Sequence, residues 1–317
     1  MKPEVSVAMT TYNGAAFVEQ QLDSLRLQTI PIDEVVIRDD CSSDGTFEIM
    51  QEYIIKWNLG NWTVIRNEHN LGWKQNFYSC IERCRGEIVF FCDQDDIWYK
   101  EKIEYMIGML NQYEEAQVLA CKLTPINADG QTIHDKRVPF QSSKTKKVAV
   151  NPVNEKFAYS IHPGCTLAVK RSIINLLTPY MATTSLPHDA LFWKMATLFE
   201  TAFVVDQPLI FYRIHSNNAS NPAATLRTSI KSSTTRIQEV SNFEINLLEV
   251  QRLYELLCKK EIIENVHSEQ LKRQIQFCDE RRQFLQGKEN LMAYLKQYRK
   301  YYLSMKMMVG DILSRNR

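Results

Sequence analysis

The sequence predicts an α/β domain, with a mostly parallel sheet flanked by helices, followed by an all-helical C-terminal region. In the first half, short apolar runs alternate with segments of helical periodicity. These runs are nearly continuous in apolar residues, as in parallel strands that are buried on both faces of a sheet. After Pro222 there is no proline, and only Gly287 and Gly310 interrupt a long helical pattern. We therefore place the α/β domain at residues 1–222 and the helical region at residues 223–317.

The first half of the chain reads as strands and helices in strict alternation. The predicted strands are Val5–Met9, Glu34–Ile37, Trp62–Arg66 and Glu87–Cys92. The predicted helices between them are Ala16–Gln28, Asp44–Trp57 and Trp73–Arg85. This order is typical of a doubly wound sheet, in which ligands collect at the carboxyl ends of the strands.

A polar cluster follows each of these predicted strands. The clusters are Thr10–Asn13, Asp39-Asp40, Asn67–Asn70 and Asp93–Asp96. Because the carboxyl ends of parallel strands meet at one edge of a sheet, we expect the clusters to form a single rim. Their coincidence is a stronger indication of a binding site than any one cluster alone.

The second half has a less regular pattern. Residues 134–158 are polar and predict a mobile surface loop. The elements predicted after it are a strand at Cys165–Lys170, a helix over 171–177, a helix that opens at His188-Asp189, and a last strand over Phe203–Val205 that continues through Leu209–Phe211. The all-helical pattern begins at about residue 225.

Charge and cysteine usage exclude several classes of protein. Lys+Arg 38 against Asp+Glu 37 give a net charge of +1, without the broad basic excess of a nucleic-acid-binding protein. The eight cysteines complete no zinc-binding pattern and lie mostly in apolar runs, so we expect reduced, buried thiols. There is no signal-peptide pattern and no apolar run of about eighteen residues. We expect a cytoplasmic protein that does not bind nucleic acid.

Asp93-Gln94-Asp95-Asp96 is the strongest candidate for chemistry. Three carboxylates within four residues repel one another unless a cation lies between them. Mg²⁺ and Mn²⁺ take oxygen ligands, usually one or two carboxylates together with substrate phosphates. One alternative is a solvated acidic turn that caps a helix beginning near Trp98. Another is a metal-dependent phosphatase or nucleotidyl enzyme, although the phosphatase family usually carries Asp-x-Asp on its first strand, and here the motif follows the fourth.

A second acidic cluster, Asp39 to Asp44, follows the second predicted strand. An acidic residue at this point of an α/β sheet can accept hydrogen bonds from a base or from a ribose hydroxyl. The cluster could instead begin the next helix, with Ser43 or Asp44 as the cap. The two roles are compatible if Asp44 caps the helix while Asp40 faces the ligand.

Taken together, the motifs resemble those of family 2 glycosyltransferases with the GT-A fold. The matching segments, in the family's order, are Val5–Gly14, Gln28-Thr29, Asp39–Thr46, Asn70–Gly72 and Asp93–Asp96. The match extends over residues 4–215. The resemblance implies a GT-A catalytic domain that uses a nucleoside diphosphate sugar as donor, with Mn²⁺ or Mg²⁺ as cofactor.

The resemblance also implies roles for single residues of the donor site. Thr11, Tyr12 and Asp40 are expected to hold the nucleotide base. Asp93 is expected to reach the ribose or the diphosphate, and Asp95 to bind the metal. The other donor-site residues expected from these segments are Asn13, Asn70, Lys74 and Gln94. For Lys74, which follows Asn70-Leu71-Gly72-Trp73, a solvated helix lysine is the alternative.

The second half supplies a base for an inverting transfer. In-line displacement at the anomeric carbon needs a carboxylate that takes the proton of the acceptor hydroxyl. Family members carry this base as the Asp of a Glu-Asp pair that opens a helix, and Asp189 matches that position. His188 stands where glutamate is commoner, which leaves its role undefined. Asp189 could also cap a helix over residues 190–199, which would not exclude catalysis.

Tyr212–Asn218 follows the last predicted strand and adds two candidates. His215 could complete the metal sphere through an imidazole nitrogen. Arg213 could pair with the diphosphate. A purely structural histidine is the alternative for His215.

Three motifs resemble those of bacterial transferases that build capsules, O-antigens and rhamnose polysaccharides. They are Asp-Gln-Asp-Asp-Ile-Trp, His-Asp and Tyr-Arg-x-His-x-x-Asn. That resemblance implies a dTDP- or UDP-sugar donor, with rhamnose or a hexose as the sugar, and a growing, lipid-linked surface glycan as the acceptor. A third hypothesis is that the protein has no catalytic activity and is a partner of a glycan polymerase, in which role it acts through its helical tail.

The end of the helical region, Gln286 to Arg317, is basic and contains interleaved tyrosines and methionines. A basic amphipathic helix with aromatic residues suits an anionic membrane surface, here the inner face of the plasma membrane. Packing of these helices on the catalytic domain, or self-association with another subunit, is the alternative.

Overall fold

The computed structural model describes residues 2–134, 140–141, 148–215, 232–302 and 304–315. Its strands are β1 (Val5–Thr11), β2 (Glu34–Asp39), β3 (Trp62–Arg66), β4 (Ile88–Cys92), β5 (Ile97–Trp98), β6 (Val118–Ile126), β7 (Val148–Val150), β8 (Leu167–Lys170) and β9 (Ala202–Arg213). Its helices are α1 (Val18–Arg26), α2 (Thr46–Trp57), α3 (Trp73–Arg83), α4 (Lys102–Gln112), α5 (Arg171–Met181), α6 (His188–Leu198), α7 (Ser233–Lys259), α8 (Ser268–Leu285), α9 (Leu291–Tyr298) and α10 (Met305–Ser314).

These strands form one mixed sheet in the order β3-β2-β1-β4-β8-β6-β9-β5, with β7 paired to β9. The first four, β3-β2-β1-β4, are mutually parallel, and β8 runs antiparallel between β4 and β6. Strand β9 is parallel to β6. Because β1 to β4 are parallel, their ends at Thr11, Asp39, Arg66 and Cys92 lie at one edge. The predicted α/β class and the predicted rim are confirmed.

The second half of the sheet differs from the prediction. Strand β6 was not predicted, although it pairs with both β8 and β9, because Lys122 and Pro125 break its apolar run. Strand β9 is continuous through Asp206 and Gln207, which separate the two apolar runs in the sequence. The polar segment 134–158 contains β7, which pairs with β9, so it is not simply a surface loop. Residues 135–139 and 142–147 of that segment lie outside the described residues.

Helix bounds also differ in places. Helix α4 begins at Lys102 rather than near Trp98, because Trp98 pairs with Ile210 as part of β5. Helix α5 continues through Pro179 to Met181, beyond the predicted end at residue 177. The bounds of α1, α2 and α3 differ from prediction by two residues at one end or at both.

The N-cap of α2 is Gly45, and Asp44, the predicted cap, directly precedes it. The carboxylate Oδ1 of Asp44 accepts a hydrogen bond from the amide of Thr46, the first residue of α2, at 3.1 Å. Its Oδ2 accepts from the amide of Ala15 at 3.0 Å. Asp44 therefore supports the start of α2 from the position before the N-cap and also holds the loop that follows β1.

Two apolar cores lie on the two faces of the sheet. Neighbouring strand residues alternate between them, so that Ala8 and Val36 belong to one core and Val7 and Val35 to the other. Helices α3, α5, α6, α7 and α8 contribute to the first core, and α1, α2 and α4 to the second. Packing in the two cores fixes the positions of the strand ends, where the polar clusters lie.

The helical region packs on the α/β domain rather than standing apart. Helices α7 and α8 share the first core, and Nε2 of Gln274 donates to the carbonyl of Asn154 at 3.0 Å. The predicted domain boundary at residue 222 lies outside the described residues and stays a prediction. Among the described helices, none is long and apolar enough to cross a bilayer.

A buried ion pair fixes the last helix of the region. The carboxylate of Asp311 is fully buried and accepts from Nε of Arg281 at 2.6 Å and from Nη1 of Arg236 at 2.8 Å. The tyrosines expected to face a membrane line this interior instead. They are Tyr294, Tyr298, Tyr301 and Tyr302, all buried in a third apolar cluster.

Candidate functional site

The edge where β1 and β2 end is joined by buried polar contacts. The hydroxyl of Thr11 donates to Oδ1 of Asp39 at 2.9 Å, and the amide of Asp40 donates to the carbonyl of Thr11 at 2.8 Å. Asp39 is fully buried and also accepts from the amide of Ser42 at 2.9 Å. The sequence indicated Asp39 only as a member of the cluster after the second strand and gave it no role of its own.

Asp40 fixes the segment that follows β3. Its Oδ1 accepts from Nδ2 of Asn67 at 2.8 Å and from the amide of Leu71 at 2.7 Å. Its carbonyl accepts from Nδ2 of Asn70 at 3.0 Å. The structure therefore brings Asp40 and Asn70 together at the rim and gives both a supporting role. Their contact with a nucleotide stays a prediction.

Gln94 joins the end of β4 to the loop after β1. Its Oε1 accepts from the amide of Tyr12 at 2.8 Å, and its Nε2 donates to the carbonyl of Tyr12 at 2.9 Å. A Cβ on Gly14 would lie 2.3 Å from this Oε1, so only glycine allows the approach. On the other side of the loop, Oδ1 of Asn13 accepts from the amide of Ser43 at 2.8 Å. Tyr12, held by its backbone, is 52% exposed at the rim.

Asp93, which follows β4, and Asp189, in the first turn of α6, lie near enough to interact electrostatically. Burial raises the pKa of Asp93 to about 7, and the negative charges of Asp95 and Asp189 also raise it. Burial raises the pKa of Asp189 to about 6, against the lowering effects of the Ala190 amide and of Lys194. The predicted donor contact and the predicted base thus lie near enough to repel each other.

The two predicted metal ligands are in direct contact. Nε2 of His215 lies 2.8 Å from Oδ2 of Asp95, and both side chains are largely buried. The ring of His215 packs on Phe17 with 4.8 Å between the ring centroids. The end of β9 therefore places His215 against the acidic turn that follows β4.

Arg213 braces this turn from the inside. Its Nε donates to the carbonyl of Asp95 at 2.8 Å, its Nη1 to the carbonyl of Ala128 at 2.7 Å, and its Nη2 to Oε1 of Gln20 at 2.7 Å. The residue is fully buried. Its guanidinium is thus directed at protein oxygens, and its predicted contact with a diphosphate stays a prediction.

Lys74 is likewise directed at the protein. Its Nζ lies 3.3 Å from the carbonyl of Thr184 and 3.5 Å from that of Ser185. The contact ties the start of α3 to the segment before α6. A role of Lys74 at the diphosphate stays a prediction.

Asp96, whose role the sequence left undefined, is a buried structural carboxylate. Its Oδ1 accepts from the amide of Arg213 at 3.0 Å, whereas its Oδ2 has no hydrogen-bond partner among the described residues. Burial raises the pKa of Asp96 well above its ordinary value, and the charges of Asp95 and Asp93 also raise it. Asp96 is the member of the cluster that faces the protein interior.

A buried lysine lies behind the cluster. Lys102 is fully buried, and its Nζ donates to the carbonyl of Cys165 at 2.6 Å. Burial lowers the pKa of Lys102, whereas nearby thiols and Asp96 oppose that effect. Sequence reasoning missed it, because a lysine in the first turn of an amphipathic helix reads as solvated. The sequence did carry a signal of its burial: Lys102 directly precedes Ile103 and lies four residues before Met106, on the apolar face of the helix.

Two sets of side chains offer ligand atoms for a divalent cation. Asp95 and His215 offer an oxygen and a nitrogen 2.8 Å apart. Adjacent ligands on Mg²⁺ lie about 3 Å apart when the bonds are about 2.1 Å long, so this pair fits. The second set is Asp93, Asp96 and Cys165, whose ligand atoms lie within 4.8 Å of one another. Burial raises the pKa of the Cys165 thiol well above its ordinary value, and a protonated thiol does not suit a hard cation.

The start of α6 corrects the predicted cap. The helix begins at His188 after Pro187, whose φ is −71°, so Asp189 lies inside the first turn instead of capping a helix over 190–199. The helix thus begins two residues before position 190, and its predicted opening at His188-Asp189 is confirmed. Oδ1 of Asp189 accepts from the amide of its neighbour Ala190 at 2.7 Å.

The side chain of His188 packs against apolar rings and fixes the first turn of α6. Its ring stacks on Phe77 with 3.8 Å between centroids and lies 5.2 Å from the ring of Phe91. Burial lowers the pKa of His188 to about 3, so the imidazole is neutral. Neither ring nitrogen has a hydrogen-bond partner in the described part of the chain. The residue that the sequence left undefined therefore positions Asp189 by packing.

Comparisons with known proteins agree with this arrangement. The sequence model of Glycosyl transferase family 2 matches residues 6–175. The dTDP-rhamnosyl transferase RfbG of Shigella flexneri is 27% identical over 221 residues, which cover 66% of this chain and 72% of that protein.

Solved structures with the same fold extend over nearly the whole chain. The crystal structure of S. aureus TarS 1-349 in complex with UDP-GlcNAc has a TM-score of 0.60 at 19% identity, over 98% of this chain and 79% of that chain. The mannosyltransferase PcManGT from Pyrobaculum calidifontis, in complex with GDP-Man and Mn²⁺, has a TM-score of 0.54 at 16% identity, over 99% of this chain and 86% of that chain. The predicted GT-A fold is confirmed.

Gly164→Ala should destabilise the protein, because its Cβ would lie 2.4 Å from Nε2 of His188, whose ring is held against Phe77. We expect the free energy of unfolding to fall by about 1–3 kcal/mol, as for an overpacked core. Urea unfolding measures the change. Gly108→Ala is the matched control: no atom lies within 4 Å of its Cβ, so alanine in helix α4 should raise the free energy of unfolding by about 0.5–1 kcal/mol. Equal effects of the two substitutions would contradict the packing of His188.

Proposed function

We propose that this chain, which belongs to Glycosyl transferase family 2, is an inverting, metal-dependent enzyme that transfers a sugar from a nucleoside diphosphate to a hydroxyl of a growing bacterial glycan. The observation that carries the proposal is that Asp93 lies near enough to Asp189 for the charge of Asp189 to raise its pKa, while Asp95, in the same acidic turn as Asp93, contacts His215. Inverting transfer needs the donor-binding groups and the base on opposite sides of the sugar, because the leaving group and the incoming hydroxyl lie on opposite faces of the ring.

Asp189 is the proposed base. As the acceptor oxygen forms its bond to the anomeric carbon, the bond from that carbon to the diphosphate oxygen breaks, and Asp189 takes the hydroxyl proton. A carboxylate with a pKa of about 6 is mostly ionised at neutral pH and is more basic than an ordinary aspartate. Its place in the first turn of α6, anchored by His188, keeps it rigid.

The other side of the rim is the proposed donor site. Tyr12 and Thr11 would contact the base with Asp40, and Asp93 would reach the ribose or the diphosphate. Asp95 and His215 would hold Mn²⁺ or Mg²⁺. When bound, such a cation neutralises charge on the leaving diphosphate. Gln94 and Asn13 support this site by fixing the loop of Tyr12 on both sides.

The relatives narrow the proposed substrates. RfbG is named a dTDP-rhamnosyl transferase, and TarS was crystallised with UDP-GlcNAc. We therefore propose a dTDP- or UDP-sugar, carrying rhamnose or a hexose, and a lipid-linked acceptor at the inner face of the plasma membrane. Exposed Lys296 and Arg299, with exposed Met292 and Met305, support contact of the helical region with an anionic surface or with a second subunit.

A donor screen tests the function. We expect one or more UDP-, dTDP- or GDP-sugars to release nucleotide with Mn²⁺ and to stop doing so with EDTA, because the cation offsets charge on the leaving group. Nucleotide release and sugar-nucleotide binding are measured for the whole panel. Release of inorganic phosphate from simple esters would favour a phosphatase, and a lack of binding and turnover for every donor would refute the transferase and favour a silent polymerase partner.

Asp189→Asn should abolish transfer while leaving donor affinity nearly unchanged, because the amide keeps the shape of the side chain but cannot take a proton. Initial rates and donor titration by calorimetry measure the two effects. Asp279→Asn, on the exposed side of α8, is the matched control and should keep full activity. Loss of donor binding in Asp189→Asn would instead show that the residue supports the fold of the donor site.

The rate should depend on the ionisation of Asp189. Since the base acts when deprotonated, kcat/KM should fall as the pH falls through about 6 and level off above it. Burial opposes the ionisation of Asp189, whereas Lys194 favours it. The pH profile of kcat/KM measures this. An inflection near the ordinary aspartate value of about 3.9 would contradict the assignment.

A further inference from the structure

We propose that Trp73 is the surface on which a pyranose ring of the acceptor stacks, and that it aligns this ring beside Asp189. The inference deepens the proposed function and rests on it. It adds a residue that determines acceptor specificity.

The exposure of Trp73 sets it apart from most other tryptophans. Of the five in the chain, Trp62, Trp98 and Trp193 are buried. Trp57 is 42% exposed, and the Arg26 guanidinium lies over its ring, 3.7 Å from the centroid. Trp73 is 54% exposed, the largest exposed fraction of the five. These two exposed tryptophans make a matched pair, one at the rim and one away from it.

The backbone around Trp73 is held on both sides. Before it, the amide of Leu71 donates to Asp40 at 2.7 Å, which ties the segment to the end of β2. After it, Lys74 reaches the carbonyl of Thr184 at 3.3 Å, which ties α3 to the segment before α6. A side chain on so fixed a backbone can present a large flat surface without losing much conformational entropy when a ligand binds.

Contacts of Trp73 place it on the acceptor side of the site. Its ring meets the edge of His188 with 6.4 Å between centroids, and His188 directly precedes the proposed base. A base must lie beside the acceptor hydroxyl, because it takes that proton. Tyr12, the other half-exposed aromatic of the rim, is instead held by Gln94 at the proposed donor site. The two aromatic side chains thus serve opposite partners.

The chemistry of a pyranose matches such a surface. One face of the ring presents C–H groups, which can cover an exposed aromatic face while the hydroxyls at the ring's edge stay in water or reach protein groups. Aromatic side chains combine a large apolar area with low entropy loss, which makes them strong contributors to recognition. An acceptor stacked on Trp73 would present one hydroxyl to Asp189.

The test separates acceptor binding from donor chemistry. With a donor that passes the screen, slow hydrolysis by water is compared with transfer to a panel of methyl and octyl pyranosides. Trp73→Ala should raise KM for the glycoside about tenfold or more, equivalent to the loss of one stacking contact. Hydrolysis should stay within twofold of the wild type, and Trp73→Phe should restore part of the affinity. Trp57→Ala is the matched control and should change neither rate.

A second readout does not need turnover. Glycosides of the panel should alter the fluorescence of the wild type and of Trp57→Ala, but not of Trp73→Ala. Unchanged glycoside KM and unchanged fluorescence in Trp73→Ala, with donor hydrolysis intact, would overturn this inference alone. Equal loss of hydrolysis and transfer in that variant would also overturn it, since it would place Trp73 at the donor. If the wild type hydrolyses no sugar nucleotide, the proposed function is refuted instead. If none of the glycosides reacts or alters the fluorescence, a pyranose acceptor at Trp73 is refuted.

Discussion

Crowding of negative charge at the end of β4 is the constraint on which the rest of the site depends. Asp93, Asp95 and Asp96 follow a strand whose residues are all buried. Two like charges about 4 Å apart near a protein surface repel by about 4 kcal/mol. The surrounding elements offset this repulsion: Arg213 bonds to the turn with its side chain and its amide, and Lys102 lies behind it. Strands and helices far apart in sequence are therefore joined at this one turn.

The same repulsion favours an arrangement in which the three carboxylates point in different directions. Asp96 turns inward, where burial favours its neutral form and one oxygen meets the amide of Arg213. Asp95 turns toward His215, which can share a cation with it. The negative charge of Asp189 raises the pKa of Asp93, which burial also raises. A sequence shows three equivalent aspartates, whereas the fold gives them different partners and therefore different chemistry.

The rim was predictable because it depends on local order. Continuous apolar runs indicated parallel strands, and parallel strands bring Asp40 and Asp93 to one edge whatever the rest of the chain does. Strand β6 and the buried state of Lys102 were not predicted, since both depend on tertiary partners that override a local polar residue. The tail tyrosines left two alternatives open for a related reason: an aromatic face has the same sequence pattern whether it meets lipid or protein. The fold buries these tyrosines in the third apolar cluster, where Tyr302 donates to Asp311.

Charge balance explains why a donor site of this kind calls for a cation. A nucleoside diphosphate is itself anionic and would approach a turn of three carboxylates. Three basic groups at the rim and behind it are already directed at protein oxygens. The Arg213 side chain donates to four of them, Lys74 to the carbonyls before α6, and Lys102 to that of Cys165. A divalent ion between Asp95, His215 and the phosphates would supply the missing positive charge where the leaving group gains its negative charge. In the proposed site, the aspartates that repel one another in isolation would thereby allow the turn to bind an anionic donor through the cation.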